Sequence, residues 1–317
     1  MPQSKTSESR RRLRDASTTP PPCPVAFDPL YETSLGYAVV ADSLHFMREL
    51  PDECIDLVVT SPPFALNRKK EYGNVHADDY VEWFVPFADE VNRIIKPTGS
   101  FVIDIGGAWI RGRPTRSIYQ YQLLIRLVER FCFAQEFFWH NPAKLPSPAE
   151  WVTVRRIRVT DSVNTVWWLS KTENPKADNR RVLRPYSDSM RNLIKNGYKP
   201  KLRPSGWAIS SKFGLDHGGS IPHNLLQISN TESNSTYLRR CKEHGLKPHP
   251  ARFPQALPDF FIRFLTEPGD LVLDCFAGSN VTGRAAEDLA RRWIAIEMSH
   301  DYLVTSRFRF SGQLLLI

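Results

Sequence analysis

Near its end the chain reads Leu271-Val272-Leu273-Asp274-Cys275-Phe276-Ala277-Gly278-Ser279-Asn280, a short apolar run that stops at an acid and a glycine turn. A segment with helical spacing follows, Thr282 to Ala290, and then a second apolar run, Trp293 to Glu297, which also stops at an acid. Strand, glycine turn, helix and acid-ended strand in so short a span form a βαβ pattern. Such a pattern requires parallel strands with helices covering both faces of the sheet. The same alternation occurs upstream. Asp56 to Thr60 (DLVVT) predicts a buried strand that stops where proline removes the ladder donor. Tyr80, Trp83, Phe84, Phe87, Val91, Ile94 and Ile95 recur at three- and four-residue spacing, which predicts an amphipathic helix closed by Lys96-Pro97-Thr98-Gly99. Ser100 to Ile105 is a second expected strand, Leu123 to Phe131 a helix, Asn164 to Leu169 a strand, and Leu257 to Leu265 a helix. The expected fold class is α/β, a doubly wound sheet.

With 317 residues of which 41% are hydrophobic, the chain can bury one large core, or one core and a smaller module. No run of about 18 apolar residues is present, and no apolar stretch follows Arg10, Arg11, Arg12 and Arg14. Neither a membrane span nor a secretory leader is therefore expected, and the cytoplasm is the expected compartment. Cys23, Cys54, Cys132, Cys241 and Cys275 form no CxxC pair and no cluster at metal-ligand spacing, which argues against disulfides and structural zinc. The net charge of +8 is unevenly spread: residues 1–24 carry +3, residues 172–245 carry +7, and the remainder −2. A basic tail and a basic middle segment on an otherwise ordinary core suggest a polyanionic partner. Residues 1–24, rich in Ser, Thr, Pro and Arg, read as a disordered basic arm. Periodicity also weakens over 172–245, which reads as an insertion or a set of surface loops between the ordered stretches 25–171 and 246–317.

Two turns carry the chemistry. In the first, Gly278 lets backbone approach a ligand, the following helix offers free N–H groups, and Glu297 can accept both hydroxyls of a ribose. The turn lacks GxGxxG, so a nucleoside without a pyrophosphate suits it better than a dinucleotide; a purely structural βα connection is the plainer alternative. The second turn is Thr60-Ser61-Pro62-Pro63-Phe64, at the carboxyl end of its strand, where α/β sheets bind ligands. An exocyclic amine of a base is a poor nucleophile because its lone pair is delocalised. Acceptors such as the Ser61 hydroxyl and the Pro62 carbonyl would hold its N–H groups and take up charge as a new bond forms. Pro63 and Phe64 can stack on a flipped-out base. A proline turn that merely ends a strand is the alternative here.

Taken together, TSPPF, a basic variable region, HPARFP and DCFAGSNVTG resemble the site-specific amino-methyltransferases of restriction–modification systems, in the permuted order that places the catalytic motif before the cofactor motif. Within that class SPPF, rather than DPPY, points to cytosine-N4-specific DNA methyltransferases. The resemblance runs from about Tyr37 to Phe310. It implies a Rossmann-like methyltransferase sheet with an inserted basic target-recognition region at 172–245, a catalytic-motif half at 25–171 and a cofactor-binding half at 246–317. It also implies S-adenosylmethionine as cofactor, double-stranded DNA as partner, no metal, and a cognate restriction endonuclease encoded elsewhere; a monomer is favoured. Ser61, Pro62, Pro63 and Phe64 would form the catalytic loop. Asp274, Phe276, Gly278 and Ser279 would wrap the methionine part of the cofactor, and Glu297 would hold its ribose. Asp42, preceded by Ala41 where the family has glycine, would meet the adenine amine, and His249 to Pro254, with His249 and Phe253 as contacts, would close over the cofactor; a proline-rich lead into a helix also explains that last segment. Residues 229–234 could present side chains to base edges. Trp139, Trp151, Trp167 and Trp168 are either base-pocket walls or core. Cys23-Pro24 in the arm is the wrong place for the thiolate that C5-cytosine enzymes need, so direct transfer is expected. Adenine-N6 methylation and a catalytically silent DNA-binding relative are the alternatives.

Overall fold

The structure, a computed structural model, describes residues 19–65, 75–198, 204, 206, 210–231 and 235–310. Most of the 1–24 segment, residues 66–74 after the SPPF turn, and residues 232–234 of the polar stretch lie outside the described residues. Contacts divide the chain into two units, one formed by residues up to Lys176 and from Asn224 onward, the other by Ala177–His223.

Among the described residues the larger unit holds nine strands: β1 (Pro29–Glu32), β2 (Gly36–Val40), β3 (Ile55–Thr60), β4 (Ile95–Ile105), β5 (Cys132–His140), β6 (Val163–Ser170), β7 (Leu225–Gln227), β8 (Leu271–Asp274) and β9 (Arg292–Glu297). They form one sheet in the order β1-β2-β9-β8-β3-β4-β6-β5-β7. The five central strands, β2 to β4 in that order, are parallel, whereas β4/β6, β6/β5 and β1/β2 are antiparallel. The sheet is therefore mixed rather than wholly parallel. Apolar runs report burial on two faces but carry no information on strand direction, which is set by connections that periodicity does not reveal.

Helices α1 (Ser43–Arg48), α2 (Tyr80–Ile94) and α3 (Tyr119–Leu127) cover one face. Phe46, Phe84, Val91 and Leu123 pack there against Val58, Phe101, Ile103 and Leu273. On the opposite face, α6 (Ala256–Leu265), α7 (Val281–Asp288) and α8 (His300–Ser306) place Phe261, Ile262, Ala285 and Leu303 against Leu57, Val59, Val102 and Val272. The strict alternation of Leu57, Val58 and Val59 between the two cores shows why these runs are apolar throughout: each strand is buried on both sides. Trp167 and Trp168 likewise enter opposite cores and are core residues. Lys96 to Gly99 do not close α2. The chain enters β4 directly at Ile95, and these four residues form a register shift, Ile55 pairing with Ile95 and Leu57 with Ser100.

The smaller unit contains a 3-10 turn, Asn179–Val182, capped by the Asp178 carboxylate, and α4 (Asp188–Asn196), capped by Ser187; α5 (Thr236–Glu243) belongs to the larger unit. An isolated antiparallel bridge joins Arg184 to Ser220. Among the described residues no buried hydrophobic side chain falls within 177–223. No helix among the described residues is long and apolar enough to cross a membrane.

Candidate active site

The register that matters most is β3 beside β8, with Leu57 opposite Val272 and Val58 opposite Leu273. It brings the Ser61 turn and the Phe276–Ser279 turn to neighbouring strand tips although about two hundred positions separate them. Between them lies a cavity of about 640 Å³. Eleven of the twelve expected site residues line it: Ser61, Pro62, Pro63 and Phe64; Phe276, Gly278, Ser279 and Glu297; Asp42, His249 and Phe253.

Asp274 is the exception. Its buried carboxylate accepts hydrogen bonds from Thr60 Oγ1 at 2.6 Å, Thr282 Oγ1 at 2.6 Å and the Phe276 N–H at 3.1 Å. It therefore pins the tips of β3 and β8 and the start of α7 to one another instead of facing the cavity. Burial pushes its pKa up, opposed by the Thr282, Thr60 and Phe276 donors. Cys275 is buried, and that burial raises its thiol pKa; its carbonyl accepts a hydrogen bond from Ser43.

One side of the cavity is built around Glu297 and the glycine turn after β8. Glu297 accepts the Gly278 N–H at Oε2 and the Ser299 N–H at Oε1, both at 2.8 Å, so its two oxygens are oriented while retaining lone pairs. Gly278 takes φ of +53°, and a Cβ there would meet the His249 ring at 3.2 Å. The position requires glycine both for its left-handed backbone and for the room it leaves. Arg309 locks the same turn from behind, its Nε donating to the Ser279 carbonyl at 2.7 Å and its Nη2 to Ser279 Oγ at 3.1 Å. Trp83 and Phe87, which sequence reasoning placed only on a helix face, join Phe276 as an aromatic wall, with ring centroids 5.9 and 5.1 Å from it. Asp42 caps α1 by accepting the His45 N–H at 2.8 Å. His249 is held to the Ala251 carbonyl through Nδ1 and packs edge-on against Tyr302; burial pushes its pKa down to about 4, so the ring is neutral at pH 7.

The other side is polar and was largely missed. Ser61 Oγ donates to Asp104 Oδ2 at 3.0 Å, and Asn164 Nδ2 donates to Asp104 Oδ1 at 3.3 Å. Asp104 is only 5% exposed, and burial raises its pKa to about 6 against the pull of Ser61, Asn164 and Lys144. Lys144, Asn141, Asn164, Asn230 and Trp139 complete this wall. The one available signal was an acid inside the otherwise apolar run Ser100 to Ile105, at a position that burial alone would not select. The Phe64 ring packs against Gly106, where a Cβ would fall 2.5 Å from it. Of the four tryptophans considered, Trp139 lines the cavity; Trp151 lies instead under the Arg155 guanidinium, 5.1 Å from its ring.

A family model described as DNA methylase matches residues 55–307. The chain is 58% identical over 287 residues to the type II methyltransferase M.PvuII of Proteus hauseri, covering 89% of this chain and 85% of that one. It is 26% identical over 275 residues to M.ScaI of Streptomyces caespitosus, covering 87% and 81%. Among solved structures, the cytosine-N4-specific PvuII DNA methyltransferase superposes with a TM-score of 0.74 at 51% identity, covering 90% of this chain and 89% of that chain. A putative DNA modification methylase from Thermus thermophilus, solved with S-adenosyl-L-methionine, shares the fold at 20% identity, with a TM-score of 0.52 over 87% and 97% of the two chains.

Proposed function

The chain belongs to the DNA methylase family, and from that membership and the chemistry of the cavity we propose that it methylates N4 of cytosine within a specific sequence of double-stranded DNA, as the modification enzyme of a restriction–modification system. The observation that carries this reading is the Ser61–Asp104 hydrogen bond at the tip of β3, in the same cavity as the glycine turn of β8.

S-adenosylmethionine, when bound, supplies an electrophilic sulfonium methyl and leaves as S-adenosylhomocysteine. Glu297 is oriented to accept the ribose hydroxyls, Asp42 and the Trp83 and Phe87 rings to face the adenine, and the Phe276–Ser279 turn to receive the methionine end. The two Glu297 oxygens, each fixed by a backbone N–H, fit a ligand that carries paired hydroxyls. The Ser61 hydroxyl donates to Asp104, so its lone pairs are free to accept an N–H of the base amine, and the Pro62 carbonyl can take the other. As the nitrogen bonds to the methyl carbon and the carbon–sulfur bond breaks, the amine must shed one proton. Ser61 can accept it while passing its own to Asp104, whose raised pKa makes it a competent acceptor near neutrality. Phe64 and Pro63 replace the stacking that the extruded base loses.

Target recognition is assigned to the basic middle segment. Its compact part, 177–223, carries Arg180, Arg184, Arg191, Lys195 and Lys212 at exposed positions suited to phosphates. Acting on the cell's own DNA, the enzyme works in the cytoplasm alongside an endonuclease of the same specificity. Digesting duplex DNA to nucleosides after incubation with labelled cofactor is expected to yield N4-methylcytosine. Label in N6-methyladenine would overturn the choice of base, and no label in any nucleoside would overturn the activity.

A further inference from the structure

Outside residues 1–24 and 172–245 the chain sums to −2, which hides a basic surface, six arginines against two acids, whose two segments adjoin cavity-lining residues. Two segments build it. The first, residues 106–118, leaves β4 next to Phe64 and turns back on itself, with the Ile110 N–H donating to the Thr115 carbonyl at 2.9 Å and the Ser117 N–H to the Ala108 carbonyl at 2.9 Å. It carries Arg111, Arg113 and Arg116 and no acid. The second, residues 150–161, forms a single π-helical turn, Glu150–Val154, then presents Arg155, Arg156 and Arg158 and leads into Ser162 and Asn164 of the cavity wall.

The segments are fastened together. Asp161 Oδ2 accepts from Trp109 Nε1 at 2.8 Å and from Arg116 Nη1, and Arg158 Nη2 donates to the Pro114 carbonyl at 2.8 Å. Arg116 and Arg158 are thus occupied in building the ledge. Arg111, Arg113, Arg155 and Arg156 are exposed, and among the described residues no carboxylate pairs with any of them. Val154 and Val159, 69% and 85% exposed, flank Arg155–Arg158 along the chain, as expected of a surface that a partner covers.

We propose that this ledge, on the catalytic unit itself, grips the phosphates flanking the target nucleotide on the strand that carries the target base. The inference rests on the DNA methylase reading above. It follows from where the two segments start and end: one begins at the stacking ring Phe64, the other finishes at Ser162, so both border the opening through which a base would enter. Drawing a nucleotide out of a duplex crowds its neighbouring phosphates, and unpaired guanidiniums facing them reduce that repulsion at the step where it is greatest. A contact of this kind is blind to sequence and is distinct from base reading by the middle segment.

The test compares wild type with the variant Arg111→Ala/Arg113→Ala/Arg155→Ala/Arg156→Ala, measuring Kd against salt on a duplex that the wild type methylates and on a scrambled one. The slope of log K against log salt is expected to shrink by about 2 to 4, at roughly 0.9 per phosphate contact. Affinity should fall by the same factor on both duplexes, while the Kd for S-adenosylhomocysteine stays put. The corresponding four-lysine variant keeps the charges and should recover most of the slope, which a merely structural role for the arginines would not allow. A slope changed by less than one contact, or a loss confined to the methylated sequence, overturns the ledge. If wild type itself transfers no methyl to any duplex, the underlying reading falls; if it does and the alanine variant keeps its slope, only the ledge falls. Should the alanine variant fail to bind S-adenosylhomocysteine, the two pairs Arg111/Arg113 and Arg155/Arg156 are changed separately and held to half the expected change.

Discussion

Asp104 is placed where a fold would rather have a neutral side chain. An unfolded carboxyl of this type gives up its proton near 3.8, whereas the folded one holds it to about 6, chiefly because of burial. Through that interval the folded chain carries more protons than the unfolded one, so stability falls as pH rises, by about 3 kcal/mol once the pH is above 6. Asp104→Asn should therefore raise the unfolding temperature at pH 8 and leave it nearly unchanged at pH 4, while lowering kcat by about 100-fold or more. The wild-type rate should also decline with a one-proton slope below pH about 6, an inflection absent from the variant; thermal scans and pH–rate profiles check both halves. Equal unfolding temperatures at pH 8 would mean that the carboxylate bears no burial cost at all. Ser61→Ala, by removing the acceptor between amine and Asp104, should lower kcat by at least about tenfold with little change in cofactor affinity; an unchanged kcat would remove Ser61 from the proton path. Ser61 to Phe64 were legible in the sequence because two prolines at a strand end are chemically conspicuous. Asp104 was not, because its role depends on the pairing of β3 with β4, which places Ser61 and Asp104 side by side.

At the level of elements, the site depends on how firmly two strand tips are joined. Asp274 was expected to touch the cofactor, a reading its position at the end of an apolar run invites equally well. The structure uses it to collect donors from Thr60, Thr282 and Phe276, so its removal leaves all three in a dry environment. Asp274→Ala is expected to destabilise by about 3 kcal/mol or more, and Thr60→Val, which deletes one donor, by about 1–2 kcal/mol. Denaturant titration measures both, and Thr60→Val should in addition raise the KM for the cofactor modestly, because the β8 turn loses its tether to β3. If Asp274→Ala costs no more than Thr60→Val, the carboxylate is not shared among three donors. The strands that bound this junction, β3, β8 and β9, were legible because both their faces are buried. β5 was not: its stretch Phe133, Ala134 and Gln135 is exposed, and it lies next to the short edge strand β7, so the apolar run that announces a strand is missing. The antiparallel placement of β6 between β4 and β5 was likewise invisible, since it arises from the order of connections rather than from any residue pattern.

Over the whole molecule, the last strands of the chain, β8 and β9, insert between β2 and β3, so the sheet closes only when both ends of the chain have been supplied. The side of the cavity proposed to hold the cofactor takes Asp42, Trp83 and Phe87 from the first part and Phe276, Gly278 and Glu297 from the last. A ligand bound there holds the two parts together, and the stabilisation it confers measures their joint integrity. At about 100 times its Kd, S-adenosylhomocysteine should add about 2.7 kcal/mol, which for a unit of this size is an unfolding temperature higher by about 4–5 °C. The segment 177–223 contributes none of the cavity-lining residues and no buried hydrophobic side chain among those described. Replacing it with a flexible Gly/Ser linker should therefore leave the ligand-induced shift intact while abolishing methylation of the recognised sequence, as read by scanning fluorimetry and by labelled-cofactor assay on the same preparation. A lost thermal shift would show that the cofactor site needs the inserted segment. Retained sequence-specific methylation would move target recognition to the rest of the chain, where the arginine ledge already accounts for backbone binding but has no means of reading a base.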